Sequence, residues 1–218
     1  MSLVRASYHE SLLELKNDVL KMASLVEDAI IKSVKALQNG DLELAEKIIK
    51  DDGKIDEMEL TLEDKCTRLI ALQQPVARDL RLIIAISKLL TDLERIGDHA
   101  TNIADIVLEI GGETLIKPLI DIQRMTELAT KRLRQSIDSF VNLDIELAKT
   151  VARADDELDI IEQQIIRELF TYVLEDPRTI RQVTQLILVA RSLERIGDHS
   201  TNICERVIYM VSGERQKY

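Results

Sequence analysis

The stretch Leu93-Glu94-Arg95-Ile96-Gly97-Asp98-His99-Ala100-Thr101-Asn102-Ile103 occurs again as Leu193-Glu194-Arg195-Ile196-Gly197-Asp198-His199-Ser200-Thr201-Asn202-Ile203. Ten of the eleven positions are identical, so the chain contains an internal duplication and its fold is two copies of one unit. Core positions tolerate exchange among apolar residues of similar volume. The identity of the polar positions therefore indicates shared chemistry rather than shared packing.

The composition predicts an acidic, helical, soluble protein. The net charge is −10, 45% of residues are hydrophobic and 31% are charged, with only 7 Gly, 3 Pro and no Trp. The absence of a basic run argues against nucleic acid as a partner, whereas the acidity favours cations or basic protein surfaces. Because no long apolar segment or signal layout is visible, we expect a cytoplasmic protein. Cys66 and Cys204 have no metal-binding spacing and are expected to be buried thiols.

Glycine and proline turns divide the chain into long segments with apolar residues at three- and four-residue spacing, which is the pattern of buried helix faces. The predicted helical segments are 4–38, 41–73, 76–110, 119–141, 144–175 and 177–212. Short turns between long helices make neighbours antiparallel. We therefore predict an all-α fold of two tandem, structurally similar antiparallel three-helix bundles, with domains at 1–112 and 113–218.

The duplication also predicts which carboxylates face each other. Asp56 lies about 18 residues before the turn at Gln74-Pro75 and Glu94 about 20 residues after it. Antiparallel helices rise equally per residue, so acids equidistant from a turn lie at similar heights. In the second half the hairpin is three residues shorter, yet Asp159 and Glu194 are still equidistant from its turn.

Each half therefore presents two acid pairs at i,i+4 spacing, one on the second helix and one on the third. Like charges about 4 Å apart repel by about 4 kcal/mol at an effective dielectric near 20, so a cation or bound protons must compensate. Carboxylate and amide oxygens suit hard cations better than a structural zinc. The alternative is an ordinary solvated helix face. The candidate metal ligands are Asp52, Asp56, Glu94, Asp98, Asn102, Asp105, Asp155, Asp159, Glu194, Asp198, Asn202 and Glu205, with Glu59 and Glu162 extending the same stripes.

The remaining charged positions of the repeated motif have predicted roles outside the acid face. Arg95 and Arg195 are about 100° around the helix from the preceding glutamate, so we expect them not to share the acid face but to snorkel, to pair elsewhere or to contact a partner. His99 and His199 directly follow an aspartate, and we expect them to support the site or to lie on the surface rather than to bind metal.

The doubled LERIGDHxTNI motif, together with Gln74-Pro75-Val76-Ala77-Arg78-Asp79-Leu80-Arg81, resembles the PhoU family over essentially the whole length. The resemblance implies a PhoU-like fold and multinuclear metal clusters, with iron expected and Zn, Mn, Mg or Ni as alternatives. By position, the implied ligands are the acid pairs named above. At the second hairpin Asp176-Pro177-Arg178 replaces the first hairpin's longer sequence, which affects partner contacts there rather than the acid pairs.

The family resemblance also implies a function that the residues alone do not show. It implies a non-enzymatic, metal-binding negative regulator of phosphate uptake and of the phosphate-starvation response. The implied partners are the ATPase subunit of the phosphate ABC transporter and a phosphate sensor histidine kinase. The protein would be a homodimer that reaches the membrane only through its partners. Two other functions are a ferritin-like di-iron oxidase, which lacks its Glu-x-x-His motif here, and a metal-free helical scaffold.

Overall fold

This computed structural model describes residues 3–154, 156–214 and 218. In these residues the fold is built of helices joined by short connections. The elements are α1 (Leu3–Asn39), α2 (Leu42–Gln73), α3 (Arg78–Ile110), α4 (Ile120–Asn142), α5 (Ile145–Arg153), α6 (Asp156–Glu175), a 3₁₀ turn (Pro177–Thr179) and α7 (Ile180–Ser212). The first half is α1–α3 and the second is α4–α7. The prediction of two similar antiparallel bundles is confirmed.

The helix ends follow the predicted capping residues. The Asp41 side chain accepts a hydrogen bond from the Leu44 N–H at 3.0 Å, and Asp144 accepts one from Leu147 N–H at 3.0 Å. Such caps satisfy backbone donors that lack a partner in the first turn. Gly40 precedes the first cap with a φ of +62°, which only a residue without Cβ adopts easily.

The prediction of one continuous helix over 144–175 is wrong. The helix α5 ends at Arg153, and α6 begins at Asp156. At the end of α5 the Ala154 N–H bonds to the Val151 carbonyl at 3.2 Å, so the last turn tightens to 3₁₀ geometry. The second helix of this half is therefore two segments.

The two halves pack together mainly through α3 and α7, the helices that carry the repeated motif. The apolar positions of the motif, such as Leu93, Ile96, Leu193 and Ile196, have no exposed surface. His99 and its own copy His199 meet across this contact with ring centroids 5.8 Å apart. Since each helix copy contacts the other through equivalent residues, the contact is close to twofold symmetric.

Two helical glycines, one exposed and one buried, predict opposite effects of a methyl group. A Cβ at Gly53 in α2 would meet no atom within 4 Å, whereas a Cβ at Gly197 would overlap Leu158 Cδ1. Gly53→Ala is therefore expected to raise the free energy of unfolding by about 0.5–1 kcal/mol, because alanine loses less backbone entropy in a helix. Gly197→Ala, the matched control, should show no such gain, because Leu158 must move. Urea denaturation of both variants checks this; equal stabilisation would contradict the packing at Gly197.

Candidate functional site

The first acid cluster lies where α2 packs against α3. Buried Leu93 and Ile96 anchor α3 against the core and leave the Glu94 side chain at the edge of the helix pair, 16% exposed. From α2, Asp52 lies directly against α3, with Oδ1 3.4 Å from the position of a Cβ on Gly97. A Cβ at position 97 would also lie 3.2 Å from Ile55 Cδ1, so glycine permits the close approach of α2 to α3.

Burial and the crowding of negative charge raise the pKa of these carboxyl groups. Burial and the neighbouring Asp98 raise the pKa of Glu94 to about 7; Arg95 opposes this shift, and Glu59 and Asp56 add to it. The pKa of Asp52 is also raised, by burial and then by Asp56, against a hydrogen bond from Thr101. The carboxylates of the two helices therefore share one electrostatic field, as their register predicts.

The second half repeats this arrangement. Burial and Asp198 raise the pKa of Glu194 to about 7, and Glu162 and Asp159 on α6 add to the effect. The pKa of Glu162 is raised as well, chiefly by burial. Asp155, the remaining candidate ligand of this half, lies outside the described residues. Two separate helix pairs thus give a glutamate with the same perturbation, which makes the crowding a property of the duplicated motif.

The predicted role of the motif arginines is wrong. Arg95 Nη1 lies 2.9 Å from Asp98 Oδ2, and its Nε lies 3.4 Å from Glu94 Oε2. Arg195 makes the same two contacts, at 2.9 Å and 3.5 Å, with the acids of its own copy. The Cβ of each arginine points off the acid face, but the long flexible stem lets the guanidinium return one turn along the helix to Asp98 or Asp198. Each cluster therefore already holds one cationic group.

The clusters differ in what lies beside the motif glycine. In the first half it is the Asp52 carboxylate, whereas in the second half Arg132 Nη1 lies 3.6 Å from the position of a Cβ on Gly197. Arg132 belongs to α4 and is only 5% exposed. A buried guanidinium at this place makes the local field less negative than in the first half.

The motif histidines and Asn202 belong to the contact between halves rather than to the acid face. Asp92 on α3, only 6% exposed, lies within 3.1 Å of His199 Nδ1 and accepts a hydrogen bond from Asn202 Nδ2 at 3.2 Å. Arg206 Nε lies 3.7 Å from the other Asp92 oxygen. The sequence analysis missed Asp92. The available signal was that position 92 is aspartate while its copy, position 192, is serine.

The other outlying candidates also lie at different places. Asn102 and Asp105 line an open cavity between α3 and α7, and the pKa of Asp105 is raised by burial and by Glu109. Glu205 accepts a hydrogen bond from the Tyr218 N–H at 3.0 Å. The structure therefore groups Asp52, Asp56, Glu94 and Asp98 in one half, where Asp105 also acts on Asp52, and Asp159, Glu194 and Asp198 in the other.

The chemistry of the two clusters fits a hard cation. Their donors are carboxylate oxygens, and burial together with the neighbouring acids raises the pKa of both motif glutamates to about 7 even beside the motif arginines. Among the described residues, no three Asp, Glu, His or Cys side chains are gathered closely around one point. Both cysteines are buried thiols, as predicted, and burial raises the pKa of Cys66 to about 12. The assignment of metal ligands stays a prediction.

In the part of the chain that the structure describes, no helix combines the length and the apolar character needed to cross a bilayer.

Comparison with known proteins identifies the family. The PhoU domain model matches residues 19–107 and again residues 122–207. A protein of Aquifex aeolicus named phosphate-specific transport system accessory protein PhoU homolog is 46% identical over 205 residues, covering 94% of this chain and 93% of the relative. A Clostridium acetobutylicum protein of the same name is 38% identical and covers 98% of each chain.

Solved structures agree with the sequence comparison. The crystal structure of PhoU from Pseudomonas aeruginosa superposes with a TM-score of 0.90 at 38% identity, covering 95% of this chain and all of that one. The phosphate transport system regulatory protein PhoU of Streptococcus pneumoniae also gives 0.90, at 31% identity and 97% coverage of this chain. With the doubled domain match and a shared fold over nearly the full length, this chain belongs to the PhoU family.

Proposed function

We propose that this chain is a metal-binding negative regulator of phosphate uptake and of the phosphate-starvation response. It would act in the cytoplasm, as a homodimer, through contacts with the ATPase subunit of the phosphate ABC transporter and with a phosphate sensor histidine kinase. Its relatives are named as accessory or regulatory proteins of a phosphate transport system, and these names support a role in regulating phosphate uptake.

The observation that carries the metal-binding part is the pKa of about 7 at both Glu94 and Glu194. A group poised in this way gains favourable interaction when a cation binds and its proton leaves. Asp52, Asp56, Glu94 and Asp98 would hold a cation in the first half, and Asp159, Glu194 and Asp198 in the second, with iron as the expected metal. A bound cation would neutralise these carboxylates and tie the second helix of each half to the third.

The position of the clusters favours a regulatory role over the ferritin-like oxidase. Oxidase ligands project into the closed core of a four-helix bundle. Here Asp98 is 36% exposed and Asp198 31% exposed, at the edge of a helix pair in each half. A cation at this edge is accessible to groups on another protein, which suits a site that is read by a partner.

The metal sites predict a specific loss of cation in a double variant. Asp98→Asn/Asp198→Asn should bind ferrous iron or Mn²⁺ at least about tenfold more weakly than the wild type, because each cluster loses one carboxylate at its centre. Elemental analysis of protein purified without chelator, followed by equilibrium dialysis, measures this.

A matched control removes two carboxylates outside the clusters. Asp51 is paired with Lys54 and Glu146 with Lys149, so Asp51→Asn/Glu146→Gln should retain wild-type metal content. Equal metal in all three proteins would mean adventitious binding and would favour the metal-free scaffold. The regulatory part is tested separately: a deletion strain should express phosphate-starvation genes in rich phosphate. Unchanged expression in that strain would overturn the regulatory proposal, whatever the metal content.

A further inference from the structure

The twofold character of the α3–α7 contact creates two equivalent places, and only one of them is filled. On one side Asp92 of α3 is held by His199, Asn202 and Arg206 of α7. An offset of 100 residues maps this set onto Ser192 of α7 facing His99, Asn102 and Ile106 of α3. The second side therefore keeps the histidine and the asparagine but has no carboxylate between them.

The second side contains an open cavity of about 540 Å³. Its lining includes all four mapped positions, which confirms that they meet there as the internal symmetry requires. Ser192 is only 7% exposed and lies in the lining of this cavity. Its hydroxyl can donate to a molecule bound there.

The charges around the cavity complete the description. Arg191 and Arg195 of α7 lie at its wall, and Arg195 also contacts Asp198. Two acids, Asp105 and Glu109, line the wall one and two turns further along α3 from Asn102. The Glu109 carboxylate accepts a hydrogen bond from Gln185 Nε2 at 3.3 Å. The cavity is therefore lined by two arginines and two acids as well as by the donors His99, Asn102 and Ser192.

We propose that this cavity binds a small free oxyanion, of the size of a carboxylate or inorganic phosphate, between His99, Asn102 and Ser192. The anion takes the place that the Asp92 carboxylate occupies on the other side. The same imidazole and amide donors hold it, the Ser192 hydroxyl adds a donor where Asp92 has an acceptor, and Arg191 supplies the positive charge. Arg206 has no counterpart here because Ile106 occupies its position, so Arg191 is the cation that matters. This site does not depend on the metal clusters.

The test measures anion binding to the wild type and to a variant in which a carboxylate at position 192 occupies the site. Metal-free wild-type protein is titrated with inorganic phosphate, and separately with acetate, at constant ionic strength, while amide resonances of α3 and α7 are followed by NMR. Saturable shifts centred on Asn102 and Ser192 are expected. Ser192→Asp, which recreates the chemistry of position 92, should weaken binding by about tenfold or more, because its carboxylate competes for the same donors. Saturation by phosphate alone or by acetate alone identifies which oxyanion the cavity prefers.

Two further variants keep the result decisive. Thr91→Asp is the matched control, since it makes a similar hydroxyl-to-carboxylate change at an exposed α3 position outside the cavity, and its affinity should equal that of the wild type. Arg191 is exposed, so Arg191→Gln should leave folding intact even if Ser192→Asp disturbs it. It should weaken binding several-fold. The absence of saturation in the wild type, or equal affinity in Ser192→Asp, Arg191→Gln and Thr91→Asp, would overturn the proposal.

Discussion

Replacing Asp92 by serine is expected to lower the free energy of unfolding by about 2–3 kcal/mol. The carboxylate is buried between α3 and α7, lies within hydrogen-bond distance of His199 and Asn202, and forms an ion pair with Arg206. Its loss leaves Arg206 without this opposite charge. Because Arg206 is 33% exposed, the loss of stability should be smaller than for a fully buried pair. Urea denaturation followed by circular dichroism measures the change.

The chain itself supplies the compensating change. On the opposite side of the same contact, Ser192 faces Ile106, so an uncharged pair is already compatible with this packing. Asp92→Ser/Arg206→Ile should therefore recover at least about half of the stability lost in Asp92→Ser, because no charge is then left unpaired. Arg206→Ile alone serves as the control. If the double variant lost as much as both single variants together, the charge pair would not be the source of the effect.

The second large effect concerns the two motif glutamates. Glu94→Gln/Glu194→Gln should raise the free energy of unfolding of metal-free protein at pH 8 by about 2–4 kcal/mol, after allowance for solvent at the cluster edge. Both glutamates have a pKa of about 7 when folded and 4.5 when unfolded. The folded state therefore holds protons that the unfolded state releases, and its stability falls as pH rises from about 4.5 through 7. Glutamine is neutral throughout and escapes this loss.

The pH profile separates this effect from other titrations. The stability difference between variant and wild type should be near zero at pH 4 and should grow to its full value above pH 7. His99, whose pKa is lowered to about 4 by burial and by His199, titrates in both proteins and cancels in the difference. As a control, Glu146→Gln changes an exposed glutamate that is paired with Lys149. It should give no comparable rise in the free energy of unfolding. A difference independent of pH would rule out the proposed crowding of carboxylates. Saturating cation should abolish the wild type's disadvantage, since metal replaces the protons.

The sequence predicted the architecture because its signals are local and repeated. The capping aspartates, Asp41 and Asp144, and the apolar spacing of each segment determine where helices begin and which faces are buried. The register of α2 and α3 followed from counting residues on either side of a turn. The duplication then applied the same argument twice, so the opposition of Asp52 to the Glu94–Asp98 face needed no tertiary information.

The sequence failed where the result depends on side-chain reach or on packing between the halves. The angular position of Arg95 excluded it from the acid face, yet its flexible stem brings the guanidinium to Asp98. Asp92 drew no attention because its partners lie more than a hundred positions away on α7. Arg132 is another such residue: nothing in the neighbourhood of α4 in sequence indicates that it lies beside Gly197.

The unequal sides of the α3–α7 contact have an evolutionary consequence. In an isologous dimer of identical subunits, every side chain on one side of the axis must also stand on the other. Covalent fusion of two repeats removes that constraint, because each copy of the motif is encoded separately. One side of the contact can therefore carry an ion pair while the other side carries an open cavity. A dimer of identical single repeats cannot encode this difference.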